Sequence, residues 1–599
     1  MQKRAKFGSA GLSLLLIGLL AGCGKKSNEA TPAGAAAKSP LPEPPAVSKC
    51  EPGRYGGRLT IATFGDPKTF NPITANEGSS QDIYRFLFSS LVNLDAPTQE
   101  VEPALAESWS VEPDQKTWTF KLRHGVRWSD GHPFTVDDVL FTWNDVIYNT
   151  NINNVTVDLF RIDGKDFAVT KVDDDTVRVV TPDIYAPFVE AFGGIPILPK
   201  HVLGKVPAKN FPSAYGINSR PEEIVGTGPF KIKEFKPNQF TLLERNPHFY
   251  VVDQKGRRLP YLDNVIYTVV PDMNAMSLRF LKGESDVLEL VRPDEYERFK
   301  EVSAKGRFQI LDLGLGLEKG FLWFNLNTNS NPKTGKPYVN PAKLKWFRNV
   351  KFRQAISHAI DRPSIIKSIY AGRAEPNFGI VTSGNKKWYN PNVRQYPFDL
   401  AKARSLLAGI GIQDRNGDGF LEDADGHKIE FVLNTNTGNN IREKVAVLIQ
   451  ADLKKLGIDL VFQPVEFNAL IDKLDVSYDY EAALLSLGGG SVDPVGSMNV
   501  LKSDSFTHQW FPRQKAPSTD WEARMDYLMN AQLKTLDFAE RKKLFDEVQA
   551  IMAEQVPFIY TVAPISYAAV NSNIGNVRAT VLSYYRATWN AEELYLKTK

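Results

Sequence analysis

Strand-like alternation and capped amphipathic helices interleave from about Tyr55 to the C-terminus without a short repeat, and that mixture confines the chain to the α/β class. Arg58-Leu59-Thr60-Ile61-Ala62-Thr63 alternates as a strand does, and so do Thr117 to Leu122 and Thr176 to Val180. Helix starts lie between such runs. Thr135 is placed as a cap, Asp138 sits at the capping-box position, and Phe134 with Val139 has the spacing of a hydrophobic staple. Val136, Val139, Leu140 and Trp143 then share one face. Ile441 to Leu456 repeats this logic, Gly457 ends it, and a strand is expected over Ile458 to Phe462. Ala539 to Gln555 is a third strong helix.

The N-terminus sets the compartment. Lys3, Arg4 and Lys6 precede an apolar run from Gly11 to Leu20, which is far shorter than the roughly 20 residues a spanning helix needs. A basic start before a short apolar run is a secretory signal, here residues 1–22. No later apolar stretch could span a bilayer. Leu20-Ala21-Gly22-Cys23 resembles the lipobox of bacterial lipoproteins. That resemblance implies cleavage before Cys23, acylation of its thiol and amine, and a membrane tether facing the periplasm or the cell exterior. Residues 23–54 hold the lipidated cysteine and a disordered linker, because Lys25 to Pro52 is rich in Ala, Pro, Ser and Lys with little to bury. Cys50 is the other cysteine of two; it lies in this linker, so no fold-stabilising disulfide is expected.

Composition narrows the partners. A net charge of +3 over 599 residues points to neither nucleic acid nor an anionic surface. The hydrophobic share of 42% with 24% charged residues fits a globular protein of two or more domains.

Several motifs carry a family resemblance. Ala104-Leu105-Ala106-Glu107-Ser108-Trp109 leads on through Thr117 to Gly131, which includes Arg127-Trp128-Ser129-Asp130-Gly131, and then to Pro133 to Val139. Gly226-Thr227-Gly228-Pro229-Phe230 and Phe352 to Arg362 follow. Together they resemble the family 5 extracellular solute-binding proteins of ATP-driven importers, the oligopeptide- and dipeptide-binding group. The resemblance runs from about Tyr55 to the C-terminus. It implies a periplasmic-binding-protein-like clamshell of two hinged lobes with an extra inserted domain. The first lobe would take residues 55–92, 225–321 and 560–599, the inserted domain 93–224 and the second lobe 322–559. Closure would bury the ligand. The signature residues themselves read as structural: a turn at Asp130-Gly131, a cap at Thr135, aromatics in the core.

The resemblance also suggests contacts. In peptide-binding members a glutamate soon after an Asn-Pro pair faces the cleft; here Asn71-Pro72 is followed by Glu77 and Ser79. Trp323 and Asn325 lie where the chain would cross between lobes. A second contact loop departs from the pattern. It reads Ser486-Leu487-Gly488-Gly489-Gly490-Ser491-Val492-Asp493-Pro494, with Leu487 at the usual Trp and Gly490 at the usual ammonium-binding Asp. Either the ligand lacks a free α-amine there, or Glu77 or Asp493 substitutes, or the ligand is not a peptide. Asp493 also reads as a turn residue.

Asp414, Asn416, Asp418, Phe420, Glu422 and Asp425 fall at the ligand spacing of a calcium loop, with Gly419 at the turn position. The final Asp in place of Glu, and the strand expected from Lys428, leave two readings open: a structural calcium site and a solvated turn. No other cofactor is required. The seven histidines are scattered, and no HExxH pattern, nucleophile elbow or Walker loop is present, so catalysis is not expected. The leading expectation is a monomeric lipoprotein that delivers a peptide-like solute to a permease and its ATPase subunits. A tethered sensor, and a carrier of an oligosaccharide or metal chelate, are the alternatives.

Overall fold

Three sheets carry the architecture. The computed structural model describes residues 39–598 apart from 76, 153, 155 and 488–491. The first sheet runs in the order Phe230–Lys236, Phe240–Arg245, Asn264–Val269, Arg58–Thr63, Val287–Leu288, Val562–Asn571 and Phe308–Leu315, with Ala374–Pro376 added on Val562–Asn571. The second runs Asp459–Val465, Glu430–Asn436, Ala482–Leu487, Lys319–Phe324 and Phe558–Tyr560. The third, antiparallel, joins Ala106–Val111, Thr117–Leu122, Thr176–Val180 and Ala168–Lys171. The fold is α/β: two lobes, each on its own sheet, with the third sheet in the inserted domain.

Local chemistry explains the elements. Phe321, Leu322, Trp323 and Phe324 are all buried, the continuous apolar run of a strand covered on both faces. Val177 and Val179 are buried while Arg178 and Val180 are exposed, as in a strand with one wet face. The helix Asn440–Leu456 starts at an Asn439 cap and ends on Gly457 at φ +95°, a backbone angle that glycine takes without strain. Thr135 N–H donates to Asp138 Oδ2 at 2.9 Å and opens the helix Val136–Leu140. Asp138 also accepts from Trp128 Nε1 and Lys200 N–H, which is why the signature residues around it serve the inserted domain's core.

The chain crosses between the lobes at two adjacent places. Phe308–Leu315 belongs to the first sheet and Lys319–Phe324 to the second; Phe558–Tyr560 belongs to the second and Val562–Asn571 to the first. Thr561 N–H and Oγ1 both donate to Gly320 O, at 2.9 and 3.0 Å, so the two crossings are tied at the hinge. Elsewhere the lobes also touch. Lys68 pairs with Asp472 at 2.7 Å, Lys444 with Asp294 at 2.9 Å, and Met273 N–H donates to Gly438 O. The inserted domain reaches the second lobe too: Lys534 pairs with Asp163, and Phe506 N–H donates to Asp158.

One expectation is corrected. From Pro40 onward the segment assigned to a disordered linker is ordered. Ala46–Val47 pairs in parallel with Val251–Val252, Arg258 donates to Pro40 O, Arg123 donates to Pro44 O, and Ser48 Oγ donates to Glu593 at 2.5 Å. Its prolines already leave few amides to satisfy, and neighbouring donors take up its carbonyls. Cys50 is a free thiol, 5% exposed, and is therefore closed to intermolecular pairing.

A buried charge network holds the second lobe. Glu522 accepts from Ser518, Thr519, Gln514 and Trp510, and lies 3.5 Å from His508 Nε2. Burial works against its charge, but the bond from His508 and the other donors outweigh it and hold the carboxyl at about 2. A depressed folded pKa means stability that is present above pH ~4.3 and lost as pH falls towards ~2. The shift corresponds to about 3 kcal/mol at neutral pH. E522Q should lose roughly that much and flatten acid unfolding between those limits, as measured by denaturant titration at several pH values.

Candidate ligand-binding cleft

A cavity of about 540 Å³ lies between the lobes. It falls in the ~300–1,000 Å³ range of small-ligand pockets. A larger groove of about 1310 Å³ runs under the N-terminal segment, but no second-lobe residue and none of the expected contact residues line it. The interlobe cavity is the candidate site.

Its first-lobe wall is the helix Gly78–Tyr84. Glu77 precedes it as the N-cap in an extended conformation (φ −125°, ψ 158°). Ser80 Oγ accepts from Lys68 and Thr69 N–H and donates to Glu77 Oε1. Ser79 Oγ is buried without a partner among the described residues. Asp82 lies one turn on from Ser79 and also lines the cavity. Its side chain opens onto the cavity yet sits deep below the outer surface. That burial, then the neighbouring Glu289 and Glu77, outweigh Arg85 and the Tyr585 hydroxyl and raise its carboxyl to about 7. Across the cavity Asp475 is raised to about 6, again mainly by burial, with Lys68 opposing.

The second lobe contributes cations. Lys319 begins the strand at the hinge; burial pushes its ammonium down to about 8, and it forms no hydrogen bond or ion pair with a described side chain. Arg442 donates to Asn436 Oδ1 at 2.5 Å and to Ser486 Oγ at 3.2 Å, both neutral acceptors. Two acids are already spent. Glu318 accepts from Arg586 at 3.2 Å, and Glu289 accepts from Ala587 N–H and Thr588 Oγ1. Asp82 and Glu77 on the first-lobe wall, with Lys319, Arg442 and Asp475 on the second-lobe wall, suit a ligand that carries both charges.

Residues 100–509 match the bacterial extracellular solute-binding proteins, family 5 (middle region). The chain belongs to this family. A probable ABC transporter-binding protein of Deinococcus radiodurans is 30% identical over 85% of this chain and 87% of its own. The oligopeptide-binding protein AppA of Bacillus subtilis is 28% identical over 87% and 89%. The AppA structure, in complex with a nonapeptide, superposes with a TM-score of 0.78 over 91% of this chain and all of its own, at 27% identity. The periplasmic binding protein MelB of Agrobacterium fabrum, in complex with stachyose, shares the fold at a TM-score of 0.81 and 24% identity, over 93% and 88%.

Against this family's pattern, the expected residues separate. Glu77, Ser79, Ser486 and Asp493 come together at the cavity. Asp493, however, is held by Arg541 at 2.6 and 2.7 Å and caps Val495 N–H, so its charge is already met. Leu487 pairs through its main chain with Lys319. Cys23, Gly488 and Gly490 lie outside the described residues. Trp323 and Asn325 belong to the second lobe's core and do not line the cavity. Trp323 packs on Phe321, Phe558 and Tyr480, and Asn325 donates to the Tyr478 and Tyr480 carbonyls at 3.1 Å each. Their position near the crossing is right, but the strand is covered on both faces beyond Lys319 and buries them. Asp82, Lys319 and Arg442 were missed. Asp82's spacing of three from Ser79 on a helix was the available signal; Lys319 had none.

The acidic loop fits a cation in part. Oxygens of Asp414, Asp418 and Glu422 lie within 4.8 Å of one another. Asn416 Oδ1 accepts from Asp418 N–H, and Phe420 N–H donates to Asp418 Oδ1. Asp425 does not join them: it pairs with Lys345 at 3.0 Å and groups with Asp423 and His427. The turn ending at Gly426 carries it away before the strand Glu430–Asn436 begins. Two histidines that are scattered in sequence do meet. His132 and His201 stack at 4.0 Å and 9°, a parallel arrangement whose in-plane lone pairs do not converge on one ion.

The structural place of Asn325 has a measurable consequence. N325A strands two buried carbonyls and should cost about 1–3 kcal/mol of stability. Ligand affinity of the folded protein should not change, whereas S79A should weaken binding with little loss of stability. Denaturant titration and calorimetry separate the two.

Proposed function

We propose that this chain is a carrier and not an enzyme: a lipoprotein that encloses a short oligopeptide between its lobes and delivers it to a membrane permease driven by ATPase subunits. The observation that carries this reading is the enclosed cavity with unmatched charge of both signs on facing walls. A zwitterionic peptide would bring its carboxylate to Lys319 and Arg442 and its ammonium to the acidic wall. A neutral sugar would leave the Lys319 ammonium buried and uncompensated, which is costly. The peptide-bound AppA relative supports the same direction. The motif at Leu20 to Cys23 supports export and lipid attachment, and confinement at a membrane would raise the carrier's effective concentration at a permease.

Native mass spectrometry of the purified protein tests the ligand class. Mixed short peptides should co-purify. K319M should then weaken binding of a peptide with a free carboxylate at least ~10-fold, about 1.4 kcal/mol, and leave its amidated form nearly unaffected. A single bound sugar or metal chelate, with no peptide binding, rejects the peptide assignment.

The loop around Asp414 belongs to the same reading as a structural calcium site. Asp414, Asp418 and Glu422 would supply hard oxygens, with the Phe420 carbonyl at the seventh loop position. Millimolar calcium should raise Tm by a few degrees relative to EDTA, and D414N should remove the difference; equal melting curves reject it.

A further inference from the structure

We propose that the ligand's ammonium is received in the first lobe at Asp82, flanked by Glu77 and the Ser79 hydroxyl, so that this cleft selects ligands carrying a primary ammonium group. The inference rests on the peptide-carrier reading and names the part of the cleft that recognises the amino end. It follows from elimination and from geometry. The second-lobe acid nearest the expected anchor, Asp493, is occupied by Arg541 in a two-point ion pair. Glu318 is bound to Arg586, and Glu289 is held by Ala587 N–H and Thr588 Oγ1. Asp475, across the cavity, has the Lys68 and Arg513 cations acting on its charge; Asp82 lines the same cavity, forms no ion pair with a described residue and has Glu289 and Glu77 beside it.

The groups around Asp82 make it a cation receptor. Arg85, on its own helix, is directed elsewhere: it donates to Thr588 O at 2.8 Å and to the Tyr267 hydroxyl at 3.1 Å, and stacks on the Tyr585 ring at 3.7 Å. Glu77 at the helix start and Glu289 from the sheet add negative charge. Tyr267, Tyr584 and Tyr585 complete the ring with neutral hydroxyls, that of Tyr585 beside Asp82, and Ser79 Oγ lacks a hydrogen-bond partner among the described residues. An ammonium has three donors, and this corner offers it carboxylate and hydroxyl acceptors.

A proton moves when the ligand arrives. At neutral pH Asp82 is partly protonated, since burial raises it to about 7. The bound ammonium favours the carboxylate, so the carboxyl O–H breaks and its proton leaves to solvent while the ligand keeps its own three. Affinity for a fixed cation should therefore rise with pH up to about 7 and level off above it.

Calorimetry on the protein freed of co-purified ligand tests this with trialanine, N-acetyl-trialanine and N-acetyl-Lys-Ala-Ala. In the unmodified protein, trialanine should bind with release of about half a proton at pH 7, read from the dependence of heat on buffer ionisation. Its affinity should fall several-fold from pH 7 to pH 6. D82N should weaken trialanine at least ~10-fold and abolish the proton release. The N-acetyl-trialanine arm should bind weakly and alike in both proteins. Recovery of affinity with N-acetyl-Lys-Ala-Ala would show that any primary ammonium is accepted; no recovery would restrict the site to the α-amine. Unchanged trialanine affinity and proton release in D82N overturn the proposal. Should none of the peptides bind the unmodified protein, the carrier reading for peptides fails first, and this inference with it. The pH series needs no variant, so misfolding of D82N leaves the proposal testable.

Discussion

The hinge depends on a buried guanidinium. Arg362 is 2% exposed and has no carboxylate partner among the described residues. Its donors go to oxygen atoms of the main chain and one hydroxyl: Tyr560 O at 3.0 and 2.5 Å, Ser357 O at 2.8 Å, Tyr396 O at 3.2 Å and Ser357 Oγ at 3.0 Å. A planar fork with five N–H groups is suited to this, because it can satisfy several carbonyls at once where a lysine would reach fewer. Tyr560 is the last residue of the second-lobe strand before the crossing at Thr561. Arg362 thus fixes the second-lobe end of the hinge to the helices Val350–Ala359 and Arg362–Ser368. The bonds from Thr561 to Gly320 join the two crossings, and Ala374–Pro376 pairs with the first-lobe strand immediately beyond.

Most of the fold was legible because its signals are local. A capping pair at Thr135 and Asp138 and a glycine stop at Gly457 each act within a few residues, and each produced the element expected. The lobes and inserted domain came from motif resemblance, since long-range pairing such as Arg58–Thr63 beside Asn264–Val269 leaves no local trace. The linker misled for a physical reason. Its composition holds few apolar residues, but a proline-rich segment can be ordered by hydrogen bonds to the folded body, and composition does not show where their partners are.

The cleft was legible in part. Glu77, Ser79 and Ser486 line it as expected, whereas Trp323 and Asn325 do not, although all lie in segments correctly placed near the lobe boundary. Lys319, Trp323 and Asn325 share one parity along this strand, and only its end at the hinge opens on the cavity, so distance from the crossing decides between core and cavity. Asp82, Lys319 and Arg442 are ordinary charged residues in sequence. What distinguishes them is the absence of a nearby counter-charge, and that is a property of the folded arrangement.

Charge separation across the cleft links ligand binding to closure. Lys319 and Arg442 come from the second lobe, Asp82 and Glu77 from the first, and closing the lobes removes all of them from water. Without a ligand each desolvated charge works against the closed state, and the raised carboxyl of Asp82 and lowered ammonium of Lys319 register that cost. A zwitterion between the walls supplies a partner to each side at once, and only the closed geometry brings both walls within reach of it. Its interaction with the closed state is therefore stronger than with the open one, which is the condition for a ligand to shift the equilibrium. The ion pairs outside the cavity, Lys68 with Asp472 and Lys444 with Asp294, are exposed and contribute little by themselves. Selectivity for closure thus rests on the interior charges, and a permease that reads the closed outline would read the presence of ligand.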